Sequence, residues 1–168
     1  MNLYNYPRHE KSPKIVNAVI EIEEGSKNKY EYDKRHGGAF VYDRCLTSAM
    51  SYPASYGFIP KTLGADGDAI DILVVSPEPI KRATVVESKV LGVLDMDDEG
   101  EKDYKIIAVP NFYTRKYFKL NDLEDSFLQI SKNFFAHYKD LSMKQEKVKV
   151  FDFYPKEKAW EIIKDSYV

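Results

Sequence analysis

Cysteine is almost absent from this chain of 168 residues, in which Cys45 is the only one. A lone cysteine excludes an internal disulfide, and we therefore predict a cytoplasmic protein. The three histidines, His9, His36 and His137, show no metal-ligand spacing, so a structural zinc site is not expected.

Long apolar runs and an excess of one charge are also missing. The longest aliphatic runs, 72–75 and 106–109, are far shorter than the ~20 residues of a membrane-spanning helix. The N-terminus lacks the apolar segment of a signal peptide. With 25 Lys and Arg against 27 Asp and Glu, overall charge does not favour nucleic-acid binding. An anionic substrate would therefore need a local site.

Aromatic residues are abundant, with 13 Tyr and 9 Phe, and these suit half-buried strands. The chain shows no repeat, no low-complexity tract and no Gly/Ser linker, which predicts a single domain over 1–168. Apolar segments bounded by turn residues predict strands at 16–22, 29–33, 39–42, 70–75, 84–94, 104–109 and 148–153.

Two helices are predicted in the last third of the chain. The first, at about 121–140, follows from an amphipathic stripe at Leu123, Phe127, Ile130, Phe134, Tyr138 and Leu141. Asn121 is its predicted N-cap, and Glu124 completes a capping box. The second is a short C-terminal helix at 158–164. A run of strands followed by helix, strand and helix indicates an α+β, mainly β fold, with an antiparallel sheet or small barrel.

Carboxylates are concentrated just before one apolar strand. Asp66, Asp68 and Asp71 fall within six positions, and Asp71 directly precedes the run at 72–75. Repelling charges at the mouth of a buried strand need a counter-ion, and oxygen donors favour Mg²⁺, Mn²⁺ or Ca²⁺. An EF-hand loop does not fit, because its sixth position requires Gly and Asp71 stands there when Asp66 is counted as the first.

Cations accompany the acids at spacings that strands bring together. Lys29 and Glu31 share one face of an extended segment, as do Asp103 and Lys105. A second acidic cluster at 95–103 and the Tyr-rich segment 51–60 each allow a simpler interpretation, as a solvated turn and as a turn packed by aromatics. Each ion pair alone is ordinary. Together these features suggest a pocket for divalent metals and a highly charged anion.

Taken in order, these segments resemble family I soluble inorganic pyrophosphatases over about residues 15–145. The family's Asp-x-Asp-Pro-x-Asp signature stands here as 66–71, with Ala69 in place of the proline. Similar segments flank it at 19–22, 29–31, 43–44, 52–57, 98–105 and 137–141. Alanine would leave the loop less stiff than proline without removing a ligand.

The resemblance implies an inorganic diphosphatase: Mg²⁺-dependent hydrolysis of pyrophosphate to two orthophosphates by direct in-line attack of water, with no covalent enzyme intermediate. Several Mg²⁺ ions would bind per site, with Mn²⁺ or Zn²⁺ as substitutes. It also implies a five-stranded barrel of the OB type with flanking helices, and a homo-oligomer with a hexamer favoured.

The resemblance also implies a role for each matching residue. Asp68 would be the general base that takes a proton from the attacking water. The metal ligands would be Asp66, Asp71, Asp98 and Asp103. The phosphate-binding groups would be Lys29, Arg44, Tyr56, Lys105, Tyr138 and Lys139. Residues that orient waters and metals would be Glu21, Glu31, Tyr52 and Glu99.

Three other functions fit the sequence less well. An OB module that binds nucleic acid would need a positive groove, whereas acids cluster here. A metal-dependent nuclease or nucleotide phosphohydrolase would need a base-recognition pocket, which the sequence does not identify. A calcium-binding structural protein is weakened by the loop spacing. We therefore predict pyrophosphate and phosphate as ligands, with neither a nucleic-acid nor a membrane partner.

Overall fold

A computed structural model describes residues 1–113, 115–143 and 147–168, which form nine β-strands and two α-helices. The strands are β1 Ile15–Ile22, β2 Asn28–Asp33, β3 Ala39–Cys45, β4 Ser55–Phe58, β5 Asp71–Val74, β6 Val85–Asp98, β7 Glu101–Lys102, β8 Lys105–Pro110 and β9 Val148–Pro155. The helices are α1 Asp125–His137 and α2 Lys156–Asp165. Among the described residues, no helix is long and apolar enough to cross a membrane.

Five strands close into a barrel. β1 pairs with β4, β4 with β5, β5 with β8 and β8 with β6, which returns to β1. Because the barrel is closed, each of the five strands is paired on both sides. The β5–β8 pairing is parallel and the others are antiparallel. This confirms the expected OB-type barrel, although its shape is uneven, because the second half of β6 extends outward to pair with β7 and β9.

The β4 strand corrects one sequence-based interpretation. The segment at 51–60 is not simply a turn packed by aromatics, because Ser55–Phe58 forms a strand in which all four residues are buried. Complete burial removes the alternation of apolar and polar residues that marks a half-exposed strand. Gly57 is required here, since a Cβ atom would overlap the carbonyl oxygen of Val19 on β1.

The first helix is shorter than the predicted 121–140. It begins at Asp125, after a 3-10 turn at Leu120–Asp122 and an extended Leu123. The predicted N-cap is wrong, because the carboxylate of Asp122 caps the preceding turn by accepting the Phe118 and Lys119 N–H groups. Local hydrogen bonding of this kind competes with helix initiation.

Part of the predicted apolar stripe is also exposed. Phe134 and Tyr138 are buried, whereas Ile130 is 58% and Leu141 74% exposed. The stripe therefore covers less of the sheet than helical spacing indicates. The C-terminal helix starts two residues before its predicted beginning, directly after Pro155.

The buried apolar residues form two clusters. One joins the barrel to α1 through Phe134 and Phe135, and the other joins it to α2 through Ala159 and Ile163. The α1 cluster includes Tyr52, Tyr56 and Tyr138. β2 and β3 form a separate two-stranded hairpin. The aromatic cluster and this hairpin both border the cavity described next.

Candidate active site

A cavity of about 550 Å³ is lined by residues from the barrel, the β2–β3 hairpin and the C-terminal end of α1. It brings together most of the residues singled out from the sequence, namely Glu21, Lys29, Glu31, Tyr52, Tyr56, Asp66, Asp68, Asp71, Asp98, Asp103, Lys105, Tyr138 and Lys139. These side chains come from six strands and connecting segments, so their convergence depends on the fold.

Two of the predicted site residues lie outside this lining. Arg44 stands opposite Lys29 in the hairpin, with its Nε 4.0 Å from Asp43 Oδ2. Glu99 occupies the turn between β6 and β7 in a left-handed conformation (φ 53°) and exchanges two hydrogen bonds with the backbone of Lys147. The phosphate-binding role of Arg44 and the orienting role of Glu99 stay predictions.

Lys105 is the buried cation of the site, with 2% of its surface exposed. Its Nζ lies 2.6 Å from Asp71 Oδ2, 2.9 Å from Asp103 Oδ1 and 3.0 Å from the Tyr56 hydroxyl. Asp103 reaches it through the two-residue spacing predicted from the sequence, and Asp71 through the β5–β8 register. Burial lowers the Lys105 pKa, but the two carboxylates raise it by more than burial lowers it, so the group remains an ammonium.

Asp66 and Asp68 lie on the exposed connection between β4 and β5. The Asp68 N–H donates to Asp66 Oδ1 at 3.0 Å, and the Gly64 N–H donates to the Asp68 carbonyl at 2.6 Å. These bonds fold the connection back on itself beside the cavity. Burial raises the pKa of Asp66, and it also raises that of Asp103, although Lys105 opposes the second shift.

The acidic residues fit a hard divalent cation by their chemistry. As the side chains stand, no group of three Asp, Glu, His or Cys among the described residues is arranged to enclose an ion. However, Asp98 Oδ1 is buried without a hydrogen-bond partner in the described part of the chain, while Asp98 Oδ2 accepts from Lys139 at 2.5 Å. An unsatisfied buried carboxylate oxygen is costly. A purely carboxylate donor set with a spare oxygen suits Mg²⁺.

Cations and phenols face these acids. Lys29 Nζ lies 2.9 Å from Glu31 Oε1 and 3.3 Å from Asp43 Oδ2, which confirms the predicted Lys29/Glu31 face. Burial lowers the Lys29 pKa, but Glu31 raises it more. Burial raises the pKa of three of the tyrosines in the lining, so their hydroxyls keep their protons and can donate hydrogen bonds: Tyr52, Tyr56 and Tyr138.

Glu21 is the most perturbed carboxyl of the lining. Burial raises its pKa to about 8, opposed by a hydrogen bond in which the Tyr32 N–H donates to Oε1 at 2.8 Å. The nearby Asp71 and Glu31 carboxylates add to the increase, and Lys29 reduces it. Glu21 therefore carries a proton at neutral pH.

Several other residues that line the cavity were not predicted from the sequence. Tyr4 comes from the N-terminal 3-10 turn, and Lys34, Arg35 and His36 from the hairpin tip. The Lys34 ammonium lies 4.4 Å from the centre of the Tyr4 ring. Isolated charges in a surface turn resemble any solvated loop, so only the folded chain shows that this tip borders the site.

The pKa of Glu21 predicts a pH-dependent stability difference. At pH values between the Glu21 pKa of the unfolded chain and that of the folded protein, the folded protein holds a proton on Glu21 that the unfolded chain releases. The free energy of unfolding therefore falls as the pH rises towards 8. In EDTA, Glu21→Gln should melt like the wild type near pH 5 but at least about 3 °C higher near pH 9. Calorimetric melting temperatures check this, with the exposed Glu10→Gln as control. An equal difference at both pH values would contradict it.

Comparison with known proteins identifies the family to which this arrangement belongs. Residues 18–168 match the family model described as inorganic pyrophosphatase. The inorganic pyrophosphatase of Halalkalibacterium halodurans is 48% identical over 144 residues, covering 83% of this chain and 86% of that protein. That of Campylobacter jejuni is 45% identical over 158 residues, covering 92% and 91%.

A solved structure agrees with these sequence relatives. The crystal structure of the inorganic pyrophosphatase from Thermus thermophilus superposes with a TM-score of 0.93 at 39% identity, covering 99% of this chain and 97% of that one. The fold and the enzyme class expected from the sequence are thereby confirmed. The chain belongs to the inorganic pyrophosphatase family.

Proposed function

We propose that this protein hydrolyses inorganic pyrophosphate to two orthophosphates in a Mg²⁺-dependent reaction, by direct in-line attack of water and without a covalent enzyme intermediate. The observation that carries the proposal is the cavity in which Asp71 and Asp103 converge on the buried ammonium of Lys105. The names of the relatives support pyrophosphate as the substrate.

The cations of the cavity would bind the phosphates. Lys29, Lys105 and Lys139 all line it and supply point charges to a multiply charged anion. The transition state of phosphoryl transfer spreads charge over equatorial oxygens, and donors fixed in advance stabilise that charge. Tyr56 and Tyr138 add phenolic donors that remain protonated. Arg44 would contribute from the neighbouring hairpin strand.

The carboxylates would hold the metal ions. Asp66, Asp71, Asp98 and Asp103 present only oxygen donors to the cavity, and Mn²⁺ or Zn²⁺ would serve as substitutes for Mg²⁺. When bound, Mg²⁺ would neutralise phosphate charge and make a water molecule more acidic. Glu21, Glu31, Tyr52 and Glu99 would orient the ligands and waters.

Asp68 would act as the general base. It is exposed on the connection between β4 and β5, lines the cavity, and is anchored through its own backbone N–H and carbonyl. Its carboxylate would accept a proton from the attacking water. Cys45 lies on β3, outside the cavity lining, which agrees with attack by water rather than by a nucleophilic side chain.

Domain organisation, location and oligomeric state are part of the same proposal. We propose that residues 1–168 act as one domain, because both apolar clusters pack on the same barrel. The free, exposed thiol of Cys45 supports a cytoplasmic setting. Exposed apolar side chains on and after α1, Ile130 and Leu141, support a homo-oligomer, with the hexamer favoured.

A substrate panel tests the proposed function. The purified protein should release orthophosphate from pyrophosphate with Mg²⁺, and should release far less from ATP or a nucleoside diphosphate, because the cavity is lined mainly by charged groups. Exhaustive EDTA treatment should abolish release, and added Mg²⁺ should restore it. Phosphate release is the measurement. Full activity in EDTA, or a preference for ATP, would overturn the proposal.

A second prediction concerns the proton acceptor. Asp68→Asn should lower kcat at least about 100-fold, the typical contribution of general base catalysis, while retaining the melting temperature. The matched control is Asp152→Asn, since the Asp152 side chain is 79% exposed and forms a surface ion pair with Lys132, outside the cavity lining. Near-wild-type turnover by Asp68→Asn would remove the assigned role.

A further inference from the structure

Thr62 is a fully buried polar residue at the base of the connection that carries Asp66 and Asp68. Its hydroxyl donates to the Ile59 carbonyl at 2.6 Å and accepts the Ile70 N–H at 2.9 Å. Both hydrogen-bonding capacities of the side chain are therefore used, one at each end of the connection. No part of the threonine contacts the cavity itself, because it is absent from the lining residues.

The hydroxyl takes the place of a backbone hydrogen bond in the β4–β5 ladder. The register of that pair ends at Phe58 opposite Asp71, and one further bond follows it, in which the Ile59 N–H donates to the Ile70 carbonyl at 2.9 Å. In a hydrogen-bonded antiparallel pair, a second bond would return from Ile70 N–H to Ile59 carbonyl. Here the Thr62 hydroxyl stands between those two groups, donating to the Ile59 carbonyl and accepting from the Ile70 N–H, so it bridges the two strands.

This bridge lies directly before the point where the acidic connection enters β5. Asp71 follows Ile70 directly and contacts Lys105 at 2.6 Å, so the position of the Ile70 backbone sets that of the Asp71 side chain. The other side of Thr62 is also held, because its carbonyl accepts from the Tyr4 hydroxyl at 3.0 Å and the next N–H, of Leu63, donates to the Ser166 carbonyl at 2.8 Å. Thr62 thus links a fixed part of the chain to the acidic connection.

We propose that Thr62 is a positioning residue for the carboxylates of the site: its hydroxyl bridges Ile59 and Ile70, and thereby places Asp66 and Asp71 for Mg²⁺ binding and Asp68 for proton transfer. This inference rests on the proposed function. The residue acts through the backbone and does not touch substrate or metal.

The experiment compares Thr62→Val, which keeps the side-chain shape and removes the hydroxyl, with Thr62→Ser, which keeps the hydroxyl. Ser88→Ala is the matched control, because Ser88 is equally buried and its hydroxyl donates to the Val86 carbonyl of the same strand, β6, at 3.0 Å. Three quantities are measured for each variant: Mg²⁺ affinity by calorimetry, amide hydrogen exchange by NMR, and melting temperature.

Thr62→Val should bind Mg²⁺ about 10-fold more weakly, the lower end of the effect of contacts that orient metal ligands. Its Ile70 amide should exchange at least about 5-fold faster, having lost its acceptor, while the Ile59 amide keeps its own. Thr62→Ser should restore both values, and Ser88→Ala should lower the melting temperature without changing Mg²⁺ affinity.

Unchanged Mg²⁺ affinity in Thr62→Val would overturn the inference, and so would an equal loss in Ser88→Ala. If Thr62→Val does not fold, the same titration on Thr62→Ala decides the question, and unfolding of both variants would make the hydroxyl a requirement of the fold instead. If the wild type hydrolyses pyrophosphate and Thr62→Val binds Mg²⁺ as tightly as the wild type, this inference is refuted and the proposed function is not. A wild type without Mg²⁺ binding refutes the proposed function as well.

Discussion

The site depends on the pairing of one buried ammonium with carboxylates that would otherwise repel each other. Lys105 is almost completely buried, and an isolated charge at such a place would cost several kcal/mol. Asp71 and Asp103 compensate that charge, and Lys105 in turn reduces the repulsion between these two neighbouring acids. The parallel pairing of β5 with β8 sets Asp71 beside Lys105. The strand pairing that helps to close the barrel therefore also forms this contact of the site.

The same balance extends to the rest of the cavity. Lys29 is paired with Glu31, and Lys139 with Asp98, so each of these cations is already tied to an acid. For the lysines to bind phosphate, their carboxylate partners need another counter-charge. In the described part of the chain Asp98 Oδ1 has no hydrogen-bond partner, and burial, with Asp71 and Glu31 nearby, raises the pKa of Glu21. Divalent cations are the physical solution that the donor set favours.

Local spacing explains what the sequence could predict. The pairs Lys29/Glu31 and Asp103/Lys105 follow from the two-residue period of a strand and needed no tertiary information. The resemblance to a family supplied the barrel and the roles of the more distant residues. The contact of Asp71 with Lys105 depends on register between strands far apart in the chain, which no local pattern encodes.

Other features escaped prediction for identifiable reasons. β4 is buried throughout and shows no alternation, and the start of α1 is displaced by a side-chain hydrogen bond of Asp122. Thr62 reads as an ordinary loop residue, because nothing in its neighbours indicates that its hydroxyl enters a strand ladder. Arg44 matches the family pattern, yet it lies outside the cavity lining, since strand pairing alone does not determine how far a long side chain reaches.

The most direct test of this charge balance is the thermal stabilisation that a fixed Mg²⁺ concentration gives to Lys105→Met and to the wild type, each measured against EDTA. If carboxylates need a counter-charge that either an ammonium or a divalent ion can supply, the variant should be less stable in EDTA and should gain more from Mg²⁺ than the wild type. Lys132→Met, which removes an exposed partner of Asp152, should gain no more than the wild type. An equal or smaller gain in Lys105→Met would contradict the account.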